Sequence, residues 1–220
     1  MNNFVQALHL LRSKNVEADE ESRTDRREIE WKLDPVVFKV VQAKFGVCDN
    51  VDLFASRVNN QLDRYVAWQP NPGAWQIDAF FLDWNEFSPY CFPPFCLVPR
   101  ILQRLELTEA ECTLIVPLWI TKPWYTKLLH LLVDTPVLLP KRKNLVTHTL
   151  TGKAHPTLYK TRFLTCRLSG KFCKNQEFLA KQQTLFYLRG DQELQRRVTP
   201  MSNDGFCAVI KGVRIHFTQL

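Results

Sequence analysis

The chain has 220 residues, of which 45% are hydrophobic, and its 29 Lys and Arg against 22 Asp and Glu leave a net charge of +7. That length holds one sizeable core with an appendage, and the composition is that of a globular chain rather than a low-complexity one. The apolar runs break within about ten residues, well short of the roughly 20 that a membrane-spanning helix needs, so no membrane partner is expected.

The opening residues, from Met1-Asn2-Asn3 to Leu10-Leu11, lack the basic flank and small-residue cleavage site of a signal peptide. The seven cysteines, Cys48, Cys91, Cys96, Cys112, Cys166, Cys173 and Cys207, are odd in number and include no CxxC pair. They fit neither a disulfide framework nor a zinc site, and the expectation is reduced thiols in an intracellular protein of the nucleus or cytoplasm. Residues 1–140 carry 14 basic and 18 acidic side chains, whereas residues 141–220 carry 15 and 4. A terminal part with that balance attracts phosphates by counterion release, so nucleic acid, DNA or RNA, is the expected partner.

In chain order, residues 11–33 are highly charged and read as a linker or short exposed helix. Asp34-Pro35 is a helix start, with Asp as N-cap and Pro at the first helical position, and Gly46 is a stop. Between them Val36, Val37, Val40, Val41 and Phe45 form an apolar stripe. Val51 to Ala55 reads as a strand, residues 68–76 as a turn-rich loop, and Ile77 to Phe81 as an extended piece. Leu97 to Leu107 has helical spacing, Leu114-Ile115-Val116-Pro117 reads as a buried parallel strand, and residues 123–133 as another helix. Val137 to Pro140 is a last short strand before regularity fades. Beyond it only a helix over residues 176–188 and a hairpin around Lys211-Gly212 are expected. Alternating strands and helices predict an α/β fold with a small, mostly parallel Rossmann-like sheet, flanking helices and an irregular basic C-terminal tail.

The stretch Phe92-Pro93-Pro94-Phe95 carries the most chemistry. Two prolines lack N–H donors and fix φ, so they mark an extended loop beyond the apolar run Tyr90-Cys91-Phe92. Amino-methylating enzymes use that geometry with Asp, Asn or Ser in the leading place, where it accepts a hydrogen bond from the target amino group while the trailing aromatic stacks on the extruded base. Here the leading residue is Phe92, which accepts nothing. Asp52, Ala55 and Ser56 at the end of the first strand would face a cofactor, although no Gly-rich turn follows them. Ligands bind at the carboxyl ends of parallel strands, so these residues, residues 92–95 and residues 117–119 are expected to form the main concave site. Asp78 and Asp83 are candidate replacement acceptors, and Phe80, Phe81 and Trp84 read as core. Lys141-Arg142-Lys143 is too short for a nuclear address and is taken as a phosphate contact. The histidines have no ligand spacing, so no metal site is expected.

The ordered set of Val51 to Leu62, Asp78-Ala79-Phe80, Phe92-Pro93-Pro94-Phe95, Leu114 to Trp119 and Pro123 to Leu129 resembles the phage-type adenine-N6 methyltransferase-like domain carried by DIRS-like tyrosine-recombinase retroelements. Asn15 to Arg23 resembles the close of a retroelement RNase H, in which Asp19 would match the last metal-binding carboxylate. One carboxylate does not hold two magnesium ions, so RNase H activity is not expected. The resemblance implies three parts: residues 1–33 as RNase H remnant and linker, residues 34–140 as the methyltransferase-like domain, and residues 141–220 as a basic extension. Three functions follow from it. The first is a degenerate domain that binds nucleic acid and needs no cofactor. The second is a working DNA adenine-N6 methyltransferase using S-adenosylmethionine through Asp52, Ala55, Ser56 and the loop at Phe92, Pro93, Pro94 and Phe95. The third is a decayed copy with no retained role.

Overall fold

The computed structural model describes residues 30–46, 49–184, 207–210 and 212–220. Asp19 and most of the expected remnant lie outside the described residues. Asp34 caps helix α1 (Pro35–Phe45), its carboxylate accepting from the Val36 N–H at 2.8 Å, and Gly46 ends it in the left-handed conformation at φ 62°. The helix buries Val37, Phe38 and Val41, while Val36 and Val40 face outward. Five apolar positions at mixed spacing cannot all share one face, and Phe38 takes the place expected of Val36 and Val40. Asp34→Ala is expected to lower stability by about 1 kcal/mol, because the first-turn N–H loses its acceptor. An unchanged urea midpoint would show that the helix start is held by other contacts.

The main sheet has six strands in the order β13 (Thr218–Gln219), β7 (Val137–Leu138), β9 (Phe163–Ser169), β6 (Glu111–Pro117), β5 (Pro89–Cys91) and β2 (Val51–Asp52). β2, β5 and β6 are parallel neighbours, β9 is antiparallel to both β6 and β7, and β13 is parallel to β7. Five strands therefore point one way and β9 the other. The sheet is α/β and mixed rather than simply parallel. It also corrects the expected irregular tail: β9, with all seven residues buried, lies inside the sheet, so the sheet runs through position 140. The sequence Phe163-Leu164-Thr165-Cys166-Arg167-Leu168-Ser169 sends Leu164, Cys166 and Leu168 to one face and Phe163 to the other, the period of two that a strand imposes.

Helices α2 (Val98–Glu106) and α3 (Trp124–His130) pack on the face of Leu164 and Leu168, together with Leu53, Cys91, Leu114 and Val116. On the opposite face α1 meets Tyr90, Ile115 and Phe163. That second core is completed by a two-stranded sheet of β1 (Trp31–Leu33) and β8 (Val146–His148). The expected linker thus ends in a strand, and α1 is entered from it. The short helix α4 (Thr157–Lys160) leads into β9, and α5 (Phe172–Ala180) follows it and corrects the expected helix over residues 176–188, of which residues 185–188 lie outside the described residues. Gly170 at that corner is enclosed: a Cβ there would stand 1.7 Å from the Thr108 carbonyl oxygen, so only glycine lets the strand end pass α2.

Smaller elements differ too. Residues 66–67 and 76–77 form the short parallel pair β3 and β4 on either side of the turn-rich loop, and residues 79–81 form a 3₁₀ turn rather than a strand. Trp84 is fully buried, with its indole N–H on the Ala79 carbonyl at 2.7 Å. Phe81, expected in the core, is 87% exposed. The expected terminal hairpin is present as β11 (Cys207–Ile210) and β12 (Val213–His216), joined by the short strand β10 (Gln183–Thr184). No helix among the described residues is long and apolar enough to cross a membrane.

Candidate functional site

The carboxyl ends of β2, β5 and β6 meet at one edge of the sheet, and there Asp52, Ala55 and Phe92 line one cavity with Tyr90, Asn59, Gln61, Phe54 and Trp31. Of the expected set, Asp52, Ala55 and Phe92 line this cavity, whereas Ser56, Pro93, Pro94, Phe95 and residues 117–119 do not. Its size is not what was expected. The cavity measures about 10 Å³, room for roughly one water, where small-molecule sites run to some 300 Å³ or more.

Strand β1 explains the loss of space. It lies across the loop that follows β2 and is held there by three polar side chains. The Ser56 hydroxyl donates to Glu30 at 2.5 Å, the Asn59 amide donates to the Trp31 carbonyl at 3.3 Å, and the Gln61 amide donates to the Leu33 carbonyl at 2.6 Å. Ser56 is thus turned to the chain's own Glu30. Trp31 lies edge-on to His155 at 4.4 Å and to His148 at 5.1 Å between ring centroids. This closes the edge from above.

Behind the prolines, the Phe95 ring stands 5.5 Å from Trp119, 5.5 Å from His155 and 5.8 Å from Phe163. Phe92 packs on Phe163 at 6.3 Å. Phe95 is half-buried among edge-on and tilted rings, an arrangement worth about 0.5–1.5 kcal/mol per pair beyond area burial. Pro93 is buried and Pro94 half-buried. The His155 Nδ1 accepts from the Thr157 N–H at 3.0 Å, and burial holds its pKa below the ordinary value, so the ring packs as a neutral group.

Asp52 is the one acid in the cavity wall, with 2% of its surface exposed. Its Oδ2 accepts from the Gln61 N–H at 3.0 Å, and burial pushes its pKa up to about 7 despite that bond and the nearby Lys32. The buried Tyr90 hydroxyl finds no hydrogen-bond partner among the described residues, and burial with the nearby Asp52 raises its pKa. Asp78 and Asp83 do not line this cavity. Each accepts from the N–H two residues on, capping the 3₁₀ turns at Ala79–Phe81 and Trp84–Glu86. Sequence reasoning did not single out Trp31, His155, Asn59 or Gln61. The last two sit inside the quoted segment Val51 to Leu62, but their role depends on a strand that pairs with residues more than a hundred positions away.

The larger concavity lies at the opposite, amino edge, a groove of about 510 Å³ whose walls include Glu111, Arg167, Lys174, Phe178 and Lys181. Arg167 on β9 reaches Asp49 at 3.2 Å, Thr113 at 3.1 Å and Ser88 at 3.3 Å, with Glu111 at 3.5 Å, so the groove floor is an internal ion-pair network. No cluster of three or more His, Cys, Asp or Glu side chains is gathered as metal ligands among the described residues.

S-adenosylmethionine, the cofactor implied by the resemblance, does not fit this edge. Trp31, Phe54 and Phe92 occupy the cavity wall, Ser56 is committed to Glu30, and the remaining space holds about one water. No family model matches the chain, and no curated protein matches it in sequence.

Proposed function

We propose that the chain is a methyltransferase-like domain of the DIRS-like retroelement type that does not transfer methyl groups and acts by holding nucleic acid. The observation that carries this reading is the closed strand-end edge: Asp52, Ala55 and Phe92 line one small cavity, and the chain's own β1 and aromatic rings leave it room for about one water. Five strands sharing one direction, with the double proline at their carboxyl ends, support a Rossmann-like ancestry for the sheet. Phe92 supports loss of chemistry, since it offers the target amino group no acceptor. An unmet amino group in a closed site costs roughly 1–3 kcal/mol.

An intracellular setting, nucleus or cytoplasm, accords with six described cysteines that are all free thiols. The nucleic-acid role rests on the basic balance of residues 141–220. Removing that part would not test it, because β9 would leave the middle of the sheet.

The decisive experiment is a calorimetric titration of the full chain with S-adenosylmethionine, paired with a methyl-transfer assay on adenine-containing single- and double-stranded DNA. The expected result is no binding heat and no transfer, in Phe92→Asn as well, because restoring the acceptor does not reopen the cavity. Transfer by the unmodified chain would overturn the reading in favour of a working adenine methyltransferase.

A further inference from the structure

Residues 112–176 hold eleven Lys and Arg and a single acid, Asp134. The fold sorts nine of these cations into two groups, while Arg142, between Lys141 and Lys143, is paired with Asp34 at 3.2 Å. On α3, at the amino edge and on α5 they are neutralised: Lys127 meets Glu106 at 2.6 Å, Lys171 meets Glu109 at 3.8 Å, Lys174 meets Glu111, and Arg167 meets Asp49 and Glu111. The carboxyl edge is different. Lys122 in the loop after β6, Lys141 and Lys143 after β7, Lys153 beyond β8 and Lys160 before β9 are all exposed, with no acidic partner among the described residues.

These loops are tied into one surface. The Leu118 N–H donates to the Arg162 carbonyl at 2.8 Å, Leu139 to Phe163 at 2.9 Å, and His155 to Val146 at 2.9 Å. Like charges held at one edge raise the local potential and attract a polyanion, whereas cations already paired add little at a distance. We infer that the rim of Lys122, Lys141, Lys143, Lys153 and Lys160 is a phosphodiester-binding surface, built on the loop after β6 and the segments that flank β8 and not on the double-proline loop. The inference rests on the nucleic-acid reading above and assigns it a place.

The contact is to backbone phosphate rather than base edges. The rim offers ammonium groups, which act as point charges, and the neighbouring aromatic rings are engaged with one another; Lys122 itself stands 5.6 Å over the Trp119 ring. A lipid surface is the less suited polyanion. The exposed apolar side chains here are Ile120 and Leu150, without the continuous apolar face that an interfacial helix buries.

The test compares two triple variants with the full chain in binding labelled single- and double-stranded oligonucleotides over a salt series, with anionic phosphatidylserine vesicles as a second probe. Lys141→Gln, Lys143→Gln and Lys153→Gln together should weaken binding about 10- to 100-fold and lower the log–log salt slope by about 2. Lys127→Gln, Lys171→Gln and Lys174→Gln together remove the same charge from the paired group and should change the affinity less than about threefold, because their ion pairs already screen them. Thermal unfolding of both variants checks that the exposed changes leave the fold intact. Equal losses in the two variants, or none in the first, would overturn the rim while leaving nucleic-acid binding standing. No binding to either oligonucleotide by the unmodified chain would overturn both readings, and rim-dependent binding to vesicles alone would replace the partner.

Discussion

Arg167→Met is expected to destabilise the chain by about 3–5 kcal/mol, because it strands a carboxylate in the interior. Asp49 precedes β2 with its side chain fully buried, and its Oδ1 accepts from Arg167, Thr113 and Ser88 at 3.2, 3.2 and 3.4 Å. These four residues belong to β9, β6 and the approaches to β2 and β5, so one carboxylate ties the amino ends of β2, β5 and β6 to the carboxyl half of the antiparallel β9. Burial outweighs the pull of the guanidinium and holds the Asp49 pKa above its ordinary value. Replacing both partners removes the stranded charge: Asp49→Leu with Arg167→Met should recover most of the loss, since a desolvated pair contributes little net stability against apolar residues of similar volume. Urea unfolding of the two singles and the double gives the coupling directly. A loss under about 1 kcal/mol for Arg167→Met would mean that water reaches Asp49 through the amino-edge groove.

The parts of the fold legible in the sequence are those whose cause is local. Asp34, Pro35 and Gly46 bound α1 because a cap, a fixed φ and a left-handed stop each act within one turn. The run at Leu114 to Pro117 is buried on both faces and reads as a strand on composition alone. β9 escaped because Thr165, Arg167 and Ser169 look like a solvated segment, whereas the fold buries all three and satisfies Arg167 with partners up to 118 positions away. β1 escaped for a related reason. Three residues in a charged stretch have no strand signal of their own, and Trp31 pairs with His148 only once the rest is folded.

The same division runs through the site. That Phe92 lacks an acceptor follows from its chemistry and could be read directly. That Asp52, Ala55 and Phe92 share a cavity wall follows from strand-end placement. The closure could not be read, because it depends on side chains of ordinary type, Ser56, Asn59 and Gln61, grasping a strand from elsewhere. A closed edge and an open one differ by three hydrogen bonds and one tryptophan, none of which forms a motif.

Asp52 gives the second large effect, in the dependence of stability on pH. Its pKa in the folded chain is about 7, against the ordinary value near 4 of an exposed carboxyl. The folded state therefore keeps a proton that the unfolded chain releases, and the stabilisation this provides is complete below about pH 4 and lost as the pH rises to 7. Three pH units correspond to about 4 kcal/mol, of which roughly 2.5 should fall between pH 5 and pH 8. His155 works the other way, since its lowered pKa costs stability only as the pH falls below about 6.5, so a single curve would mix the two. The difference between the unmodified chain and Asp52→Asn isolates the carboxyl. The amide oxygen can still accept from the Gln61 N–H, and it carries no charge at any pH. The variant should be the more stable of the two at pH 8 and should lose that advantage progressively toward pH 5. Parallel unfolding midpoints across this range would show that Asp52 is solvated, and hence that β1 does not close over the strand ends in solution.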